Sequence, residues 1–390
     1  MNILFLVKTF GIGGVEIVTL SLAKALRERG HQVGIFTFLL HDEILCKQVP
    51  DDISFYISHG LKERKSNEAM LRQILVSDGI NLVINQWGLS FMPIRLINKA
   101  RQGLGIKVIS VYHMQVNMNG RLASCDKAIS NCSNRMLKPV LKLKRRLMKL
   151  VTSRSMRYVY NHSDIYEVLS PSFVGIFKEF TGIKNPAHLV VQTNPVTIAH
   201  TQDFILDVGK KQKEIIYVGR LDMMVKRVER VIDTWGYLEE KFPDWQLTIV
   251  GDGEDRQILE SYVKNLGLKR VSFEGFQQPS EYYKRASMLL LTSEYEGFPL
   301  ILPECMSFGV IPVVYDSYAA VRDIIEDHRN GIIIPSAGCD YDANAAANLI
   351  AGVMNDDRLR GVMAANAIEK SKQFSLENIC DEWEKIFSSL

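Results

Sequence analysis

Two glutamates, Glu296 and Glu304, are separated by seven residues and by a turn that begins at Gly297. They come directly after the apolar run Met288–Thr292, which is predicted to be a buried strand, and a helix is expected to begin near Leu300. The free N–H groups of a helix start attract an anionic phosphate, whereas carboxylates accept hydrogen bonds from hydroxyl groups. The segment therefore predicts a site for a phosphorylated, hydroxyl-rich ligand. The alternative is a helix whose acidic first-turn residues only favour its dipole.

Two basic residues, Arg220 and Lys226, follow another predicted strand, Ile215–Val218. Arginine offers a bidentate fork to phosphate, and lysine offers a compact point charge. Ligands of parallel α/β sheets sit beyond the carboxyl ends of the strands, so these cations are placed where a diphosphate could bind. The alternative is that both side chains are ordinary solvated surface residues.

A glycine-rich loop, Gly11-Ile-Gly-Gly-Val-Glu16, lies between the first predicted strand and the first helical stretch. Gly13 and Gly14 would let backbone N–H groups approach a phosphate at the helix N-terminus. The loop is not a GxGxxG fingerprint, and a tight strand-to-helix turn without a ligand explains it equally well.

A basic stretch, Lys138–Arg157, contains eight lysines and arginines and no acidic residue. Its apolar residues are expected on one broad helical face: Leu137, Val140, Leu141, Leu147, Met148 and Val151. Such a helix is able to lie on an anionic membrane surface. Core packing of the same face is an equal alternative, and nucleic acid binding is a weaker one because aromatic residues are not interleaved.

Metal and disulfide motifs are not evident in the sequence. The six cysteines are scattered without a CxxC pair, which favours reduced thiols over a zinc site or a disulfide framework. The single Asp-x-Asp, Asp340-Tyr-Asp342, precedes an alanine-rich helical stretch, where helix capping is the expected role. We therefore expect no metal site.

Short apolar runs that alternate with amphipathic stretches are expected to position these residues. This alternation predicts βαβ units and mostly parallel sheets. The predicted strands are Ile3–Val7, Val33–Phe38, Leu82–Asn85, Val108–Val111, Ile165–Leu169, Ile215–Val218, Leu247–Val250, Val271–Glu274, Met288–Thr292, Ile311–Tyr315 and Ile332–Ile334.

The rhythm of strands and helices weakens near Asn194–Thr201 and resumes after the charged stretch Gly209–Lys213, so the interdomain linker is expected there. Two Rossmann-like, doubly wound domains are predicted, at residues 1–198 and 199–374, facing each other across a cleft. A terminal helix in residues 375–390 is expected to pack back on the first domain.

The bulk composition agrees with two soluble globular domains. A chain of 390 residues exceeds the size of one hydrophobic core, and 47% of its residues are hydrophobic and 23% charged. The formal net charge of +3 gives no global field that would attract nucleic acid. The first apolar run, Ile3–Val7, is too short for a signal peptide or a membrane span, so a cytoplasmic protein is expected.

The segment GFPLILPECMSFGVIPV, preceded by Glu296, resembles the E-x7-E signature of the retaining family-4 glycosyltransferases of GT-B fold, the glycosyl transferases group 1. Four further segments resemble the family in the expected order, namely Gly13-Gly14 (its glycine loop), Val218-Gly-Arg-Leu with Lys226 (its diphosphate-binding pair), Val250-Gly-Asp-Gly253 (its strand-end turn) and Phe273-Glu-Gly-Phe276 (its loop near the base). The resemblance covers essentially the whole chain and is strongest from about residue 215 to 335. It departs at Asn194-Pro-Val-Thr197, where many relatives have Asn-Gly-Val-Asp, so no role is carried over to that loop.

The resemblance implies a role for particular residues. His113, which ends the strand-like run Val108–Tyr112, falls where the family has an active-site histidine that contacts the transferred sugar, although a lone histidine there is otherwise read as structural. Glu296 is implied to bind the sugar and, with His113, to be catalytic. The implied donor-binding residues are Gly13, Gly14, Arg220, Lys226, Gly297, Phe298, Leu300, Ile301 and Glu304, with Glu304 on the ribose.

The activity implied is that of a retaining transferase without a metal or cofactor. It would move a hexose or N-acetylhexosamine from a nucleotide sugar, with UDP favoured, to a glycan or lipid-linked acceptor in the assembly of a cell-surface polysaccharide or lipopolysaccharide. The expected location is the cytoplasm, at the inner membrane face if Lys138–Arg157 binds anionic lipid.

Two other functions remain open on the sequence. One is a non-catalytic nucleotide-sugar-binding protein of the same fold. The other is a nicotinamide-dependent oxidoreductase, suggested by the glycine loop. An oxidoreductase requires an acidic ribose-binding residue near the end of the second strand, where Phe36–Leu40 is apolar.

Overall fold

The computed structural model describes residues 1–198, 208–336 and 341–390. The chain divides into two compact units, residues 1–197 with 376–390 and residues 198–375. The first domain limit predicted from the sequence, at residues 198 and 199, falls at the edge of the undescribed stretch 199–207, and Cys339 and Asp340 also lie outside the described residues. The five cysteines within the described ranges are free thiols.

The N-terminal unit contains a seven-stranded parallel sheet in the order β3-β2-β1-β4-β5-β6-β7. Its strands are β1 (Asn2–Phe10), β2 (Gln32–Leu40), β3 (Ser54–Ile57), β4 (Leu82–Asn85), β5 (Lys107–Tyr112), β6 (Ile165–Val168) and β7 (Leu189–Val191). Its helices are α1 (Gly14–Glu28), α2 (Arg64–Ser77), α3 (Phe91–Ala100), α4 (Gly120–Ser130), α5 (Leu137–Asn161) and α6 (Ser172–Thr181). The strand order reverses between β1 and β4, and this is where ligands of doubly wound sheets bind.

The C-terminal unit contains a six-stranded parallel sheet in the order β10-β9-β8-β11-β12-β13, which reverses between β8 and β11. Its strands are β8 (Gln212–Val218), β9 (Gln246–Val250), β10 (Val271–Gly275), β11 (Ala286–Leu291), β12 (Ile311–Tyr315) and β13 (Ile332–Ile334). Its helices are α7 (Val228–Gly236), α8 (Arg256–Asn265), α9 (Ser280–Arg285), α10 (Ile301–Ser307), α11 (Val321–Ile324), α12 (Ala343–Met354) and α13 (Asp357–Ser371), and a last helix, α14 (Leu376–Ser388), follows.

The prediction of two doubly wound α/β domains is confirmed, although the strand list was incomplete. Ser54–Ile57 and Leu189–Val191 were not predicted as strands. Both are short edge strands, and their side chains are only partly buried, so they lack the continuous apolar run that marks the central strands. Asp342 caps α12, since its carboxylate accepts hydrogen bonds from the N–H groups of Asn344 and Ala345, both at 3.0 Å.

The terminal helix α14 packs against α1 of the N-terminal unit. The guanidinium of Arg29 lies 2.5 Å from Asp381 and 2.9 Å from Glu384, and Trp383 of the same helix is buried. The helix therefore returns the end of the chain to the unit in which the chain begins.

The basic helix α5 differs from the sequence prediction. Its buried residues, Thr152, Met156, Val159 and Tyr160, all lie in its second half. In the first half the predicted single apolar face is divided: Leu141 and Met148 are partly buried, whereas Leu137, Val140, Leu147 and Val151 are exposed. Core packing therefore explains only part of this helix. None of the helices in the described part of the chain has the length and apolar character required to cross a membrane.

Candidate active site

The glycine loop connects β1 to α1, and Gly13 is the residue that precedes the helix, in an extended conformation. Its carbonyl accepts the first helical hydrogen bond, from Ile17 N at 2.9 Å. A Cβ on Gly13 would lie 2.5 Å from the Glu16 carboxylate, so the glycine leaves room for that side chain. Thr9 Oγ1 donates to Glu16 Oε1 at 3.1 Å, and burial raises the pKa of Glu16. Sequence reasoning gave no role to Glu16, which faces the loop assigned to the donor.

Asp42 lies at the same loop and was also missed. Strand β2 ends at Leu40, so its end is apolar as predicted, and Asp42 follows two residues later. Its Oδ2 accepts a hydrogen bond from Ile12 N at 2.9 Å, and this bond is the main cause that lowers the pKa of Asp42. The carboxylate thus holds the loop itself instead of standing free for a nicotinamide ribose.

His113 follows β5 directly and contacts Gln86, which follows the neighbouring strand β4. Its Nε2 lies 2.6 Å from Gln86 Oε1, an acceptor, so Nε2 carries the proton in this pairing. Burial lowers the pKa of His113 to about 4, which keeps the ring neutral at neutral pH. Its Nδ1 is buried and has no hydrogen-bond partner among the described residues. A neutral ring with an unpaired Nδ1 lone pair is suited to accept a hydrogen bond from a hydroxyl group.

In the C-terminal unit, the loop after β8 is held by backbone contacts with the loop after β9. Gly219 N donates to Val250 O at 3.0 Å, and Leu221 N donates to Asp252 O at 2.9 Å. A Cβ on Gly251 would lie 1.8 Å from the carbonyl oxygen of Gly219, so no other residue fits there. The glycines of the strand-end turn Val250–Gly253 are therefore required by backbone packing, which positions the residue after Gly219.

That residue is Arg220, whose side chain is 64% exposed and whose guanidinium lies 2.5 Å from Asp222 Oδ2. Asp222 Oδ1 accepts hydrogen bonds from Met224 N at 2.6 Å and Val225 N at 2.8 Å. Burial would raise the pKa of Asp222, but these N–H groups and the guanidinium hold it below its ordinary value. Asp222 therefore stays ionised and fixes both the turn and the orientation of the Arg220 guanidinium.

Lys226 and Glu296 form an ion pair, with 2.6 Å between Nζ and Oε1. Their loops follow β8 and β11, which are neighbours in the sheet. Two further bonds join the loops: Glu294 N donates to Val225 O at 2.7 Å, and Thr292 Oγ1 donates to Arg227 O at 2.9 Å. The structure thus brings the predicted phosphate-binding lysine and the predicted sugar-binding glutamate together at the strand-order reversal.

The predicted turn and helix after Glu296 are present, and α10 begins at Ile301. As first-turn residues, Leu300 and Ile301 have backbone N–H groups without an intrahelical acceptor. Glu304 is 5% exposed. Phe298 is 4% exposed, and its ring packs edge-on against Phe374 at 5.4 Å. The Phe298 side chain is therefore part of the core, and only its backbone is available to a ligand.

Two hydroxyl groups near Glu296 were not singled out from the sequence. The Tyr318 hydroxyl is buried without a hydrogen-bond partner among the described residues, as is Ser293 Oγ. Burial raises the pKa of Tyr318, and the negative charge of Glu296 adds to the effect. The neighbouring Ser317 Oγ donates to Ser293 O at 2.5 Å. These hydroxyl groups are therefore available, in addition to Glu296, to form hydrogen bonds with a ligand.

Within ranges 1–198, 208–336 and 341–390, no group of three or more His, Cys, Asp or Glu side chains is placed to hold a metal ion. Metal independence remains a prediction.

Comparison with known proteins covers nearly the whole chain. The family model described as "Glycosyltransferase Family 4" matches residues 12–199, and "Glycosyl transferases group 1" matches residues 199–370. A Campylobacter jejuni GalNAc-α-(1→4)-GalNAc-α-(1→3)-diNAcBac-PP-undecaprenol α-1,4-N-acetyl-D-galactosaminyltransferase is 27% identical, covering 100% of this chain and 99% of its own. A Salmonella typhimurium lipopolysaccharide 1,6-galactosyltransferase is 34% identical over 38% of this chain and 42% of its own.

A solved structure agrees in fold. Anabaena HepE in complex with UDP superimposes with a TM-score of 0.75 at 17% identity, covering 100% of both chains. The two family models meet at residue 199 and together extend from residue 12 to 370. The chain therefore belongs to the family-4 glycosyltransferases of GT-B fold.

Proposed function

We propose that the protein is a retaining glycosyltransferase that moves a hexose or N-acetylhexosamine from a UDP-sugar to a glycan or lipid-linked acceptor. The observation that carries the proposal is the pairing of Lys226 with Glu296, with Arg220 on the same loop, where the strand order of the C-terminal sheet reverses. Nucleotides bind to doubly wound sheets at this point. A cation for phosphate beside a carboxylate for hydroxyl groups matches the two halves of a nucleotide sugar.

The donor diphosphate is assigned to Arg220, Lys226 and the N–H groups of Leu300 and Ile301. Negative charge builds on the diphosphate as the glycosidic bond breaks, and donors fixed in advance stabilise that charge. Arg220 is mostly exposed, and its ion pair with Asp222 orients the guanidinium. The guanidinium is therefore able to contact a phosphate while the ion pair with Asp222 is kept.

The sugar is assigned to Glu296, to the backbone of Gly297 and Phe298, and to the unpaired Nδ1 of His113. Glu304 is assigned to the ribose, as the family resemblance implies. Both glutamates would act as hydrogen-bond acceptors for hydroxyl groups. His113 is suited to the same task because it is neutral and its Nδ1 has no hydrogen-bond partner within the described part of the chain.

Gly13 and Gly14 are assigned to the donor through their backbone N–H groups. The partly buried carboxylate of Glu16 lies over Gly13 and would repel a phosphate placed directly beside it. We therefore place a hydroxyl-bearing part of the ligand, and not the diphosphate, next to Glu16.

Retention of configuration is proposed to proceed without a protein general base, with the leaving phosphate accepting the acceptor's proton. No metal or other cofactor is assigned to the reaction. The reaction would take place in the cytoplasm, where the nucleotide sugar is available, during assembly of a cell-surface polysaccharide or lipopolysaccharide.

The relatives support the choice of donor and acceptor. The Campylobacter enzyme is named for a sugar acceptor linked through a diphosphate to undecaprenol, and the Salmonella enzyme for lipopolysaccharide. The Anabaena protein of similar fold is solved with UDP. A UDP-hexose or UDP-N-acetylhexosamine is therefore the first donor to test.

A thermal-shift screen of nucleotide sugars, followed by a turnover assay, tests the proposal. A bound donor stabilises the folded state by mass action, so UDP-sugars should raise Tm in wild type and much less in Lys226→Ala. Slow release of UDP, accelerated by a lipid-linked acceptor, should follow. A Tm increase without any turnover would support a non-catalytic nucleotide-sugar-binding protein, and no shift with any nucleotide sugar would contradict the proposed site.

A further inference from the structure

We propose that the outer face of α5 binds the headgroup region of an anionic membrane. We call this face the α5 surface, and it comprises an apolar stripe, Met136, Val140, Leu143, Leu147, Leu150 and Val151, and the exposed basic residues on the same side of the helix, Lys144, Arg146, Arg154 and Arg157. The inference rests on the proposed function in one respect: the lipid-linked acceptor is taken as the reason for membrane binding.

The apolar stripe is regular and exposed. Its first five members recur at spacings of four, three, four and three residues, which places them on one side of a helix. Each of its six side chains is between 51% and 89% exposed. Isolated surface leucines are normal, but a continuous stripe of this length indicates an interaction surface.

The opposite side of the helix is already occupied. Helix α4 packs against α5, and Arg145 forms an ion pair with Asp126 of α4. Leu141 and Met148, which the sequence placed on the membrane face, are partly buried. The helix is therefore anchored through one face, and the α5 surface is directed away from its own unit.

Exposed cations extend and flank the apolar stripe. Arg154 and Arg157 continue its spacing of four and three residues after Leu150, and Lys144 and Arg146 lie on either side of it. Within the described chain none of these four cations forms an ion pair. Helix α5 contains no acidic residue. Uncompensated cations next to exposed leucine and valine are typical of helices that lie in the plane of an anionic membrane.

Other occupants fit this surface less well. The cores of protein interfaces are depleted in charged residues and enriched in aromatic ones, whereas the apolar stripe has no aromatic member and is flanked by Lys144 and Arg146. Pairing with a second copy through the same stripe would bring two sets of cations together. Nucleic acid would neutralise the cations but leave the apolar stripe in water.

The test is co-sedimentation with vesicles of phosphatidylcholine alone or with about one quarter phosphatidylglycerol. Wild type should bind the anionic vesicles at least tenfold more strongly than the neutral ones. Binding should fall between about 0.1 M and 1 M salt, because the Debye length shortens from about 10 Å to 3 Å. The triple variant Lys144→Gln, Arg146→Gln, Arg154→Gln should lose roughly fivefold in affinity for each cation. The double variant Leu143→Ser, Leu147→Ser should also lose binding, through the apolar term.

The matched control neutralises three exposed cations elsewhere on the same unit, Lys47→Gln, Lys178→Gln and Lys184→Gln, and should bind like wild type. All variants should retain the wild-type circular dichroism and the Tm increase with UDP-sugar, since none of the substituted residues is assigned to the donor site. If UDP-sugars did not raise the Tm of wild type, the proposed function would be contradicted. Vesicle binding would still test the membrane inference by itself.

Three outcomes would overturn the inference. Wild type could remain in the supernatant at low salt, or the charge variant could sediment as wild type does. Alternatively, light scattering could show a dimer that dissociates in the leucine variant without vesicle binding, which would make the α5 surface an interface between copies.

Discussion

The ammonium nitrogen of Lys226 lies 2.6 Å from Oε1 of Glu296, across two loops that follow neighbouring strands. The pair joins the residue proposed for the diphosphate to the residue proposed for the sugar. A bound diphosphate would compete with Glu296 for the lysine, and the released carboxylate would then accept a hydrogen bond from a sugar hydroxyl. Donor binding would thus exchange one ion pair for two ligand contacts.

Arg220→Ala and Lys226→Ala should each weaken donor binding by about tenfold to 150-fold. Each removes a charge-assisted contact worth roughly 1.5–3 kcal/mol. Calorimetric titration with UDP-sugar measures the effect. Arg329→Ala, which removes an exposed cation paired with Glu326, serves as the control and should leave affinity unchanged.

Lys226→Ala also leaves Glu296 partly buried without its cation, so part of its effect could come from lower stability. The double variant Lys226→Ala, Glu296→Gln separates the two causes. It should recover Tm but not donor affinity. Recovery of both would mean that Lys226 acts only by neutralising Glu296.

Glu304→Gln and Glu296→Gln should differ in their kinetics. A ribose contact is made equally in the ground state and the transition state, so Glu304→Gln should raise the donor KM about tenfold and leave kcat nearly unchanged. Glu296→Gln should lower kcat by tenfold or more. Steady-state assays measure both, with the exposed Glu254→Gln as the control. If both site variants changed only Tm, the helix-dipole explanation would be favoured.

His113 should make the free energy of unfolding depend on pH. Its pKa is about 4 in the folded protein, below the ordinary value of 6.5, so the unfolded chain binds the proton more readily between these values. Stability from this group is therefore complete above about pH 6.5 and is lost as the pH falls towards 4, by up to roughly 1.4 kcal/mol per pH unit.

Urea unfolding of wild type and His113→Asn at pH 4.5, 5.5, 7 and 8 measures this contribution. The stability difference between the two proteins should change with pH below 6.5 and stay constant above it. Parallel curves over the whole range would show that His113 is not held neutral by burial.

Chelation should not abolish activity. The proposed site stabilises the diphosphate with Arg220, Lys226 and backbone N–H groups, so no divalent cation is required for that charge. Turnover after dialysis against EDTA should remain within twofold of the untreated enzyme. If EDTA abolished turnover and magnesium or manganese restored it, the proposal that protein groups alone stabilise the leaving diphosphate would be wrong.

The sequence by itself determined the fold class, the family and the loops that carry the site. Strand and helix periodicity is local, so the order of βαβ units could be predicted without knowing which strands pair. The E-x7-E segment and the Arg220–Lys226 loop follow predicted strands, and the carboxyl ends of parallel strands are where ligands bind. The edge strands β3 and β7 were missed because they are short and only partly buried.

Only the tertiary structure decided which side chains meet and which face solvent. The Lys226–Glu296 pair depends on the adjacency of β8 and β11, which are separated in sequence by β9 and β10. The carboxylate of Asp42 acquires a role only because β2 lies next to β1, and His113 meets Gln86 only because β5 lies next to β4. The apolar stripe of α5 is exposed because α4 covers the other side of the helix, and helical periodicity alone cannot indicate which side a neighbour occupies.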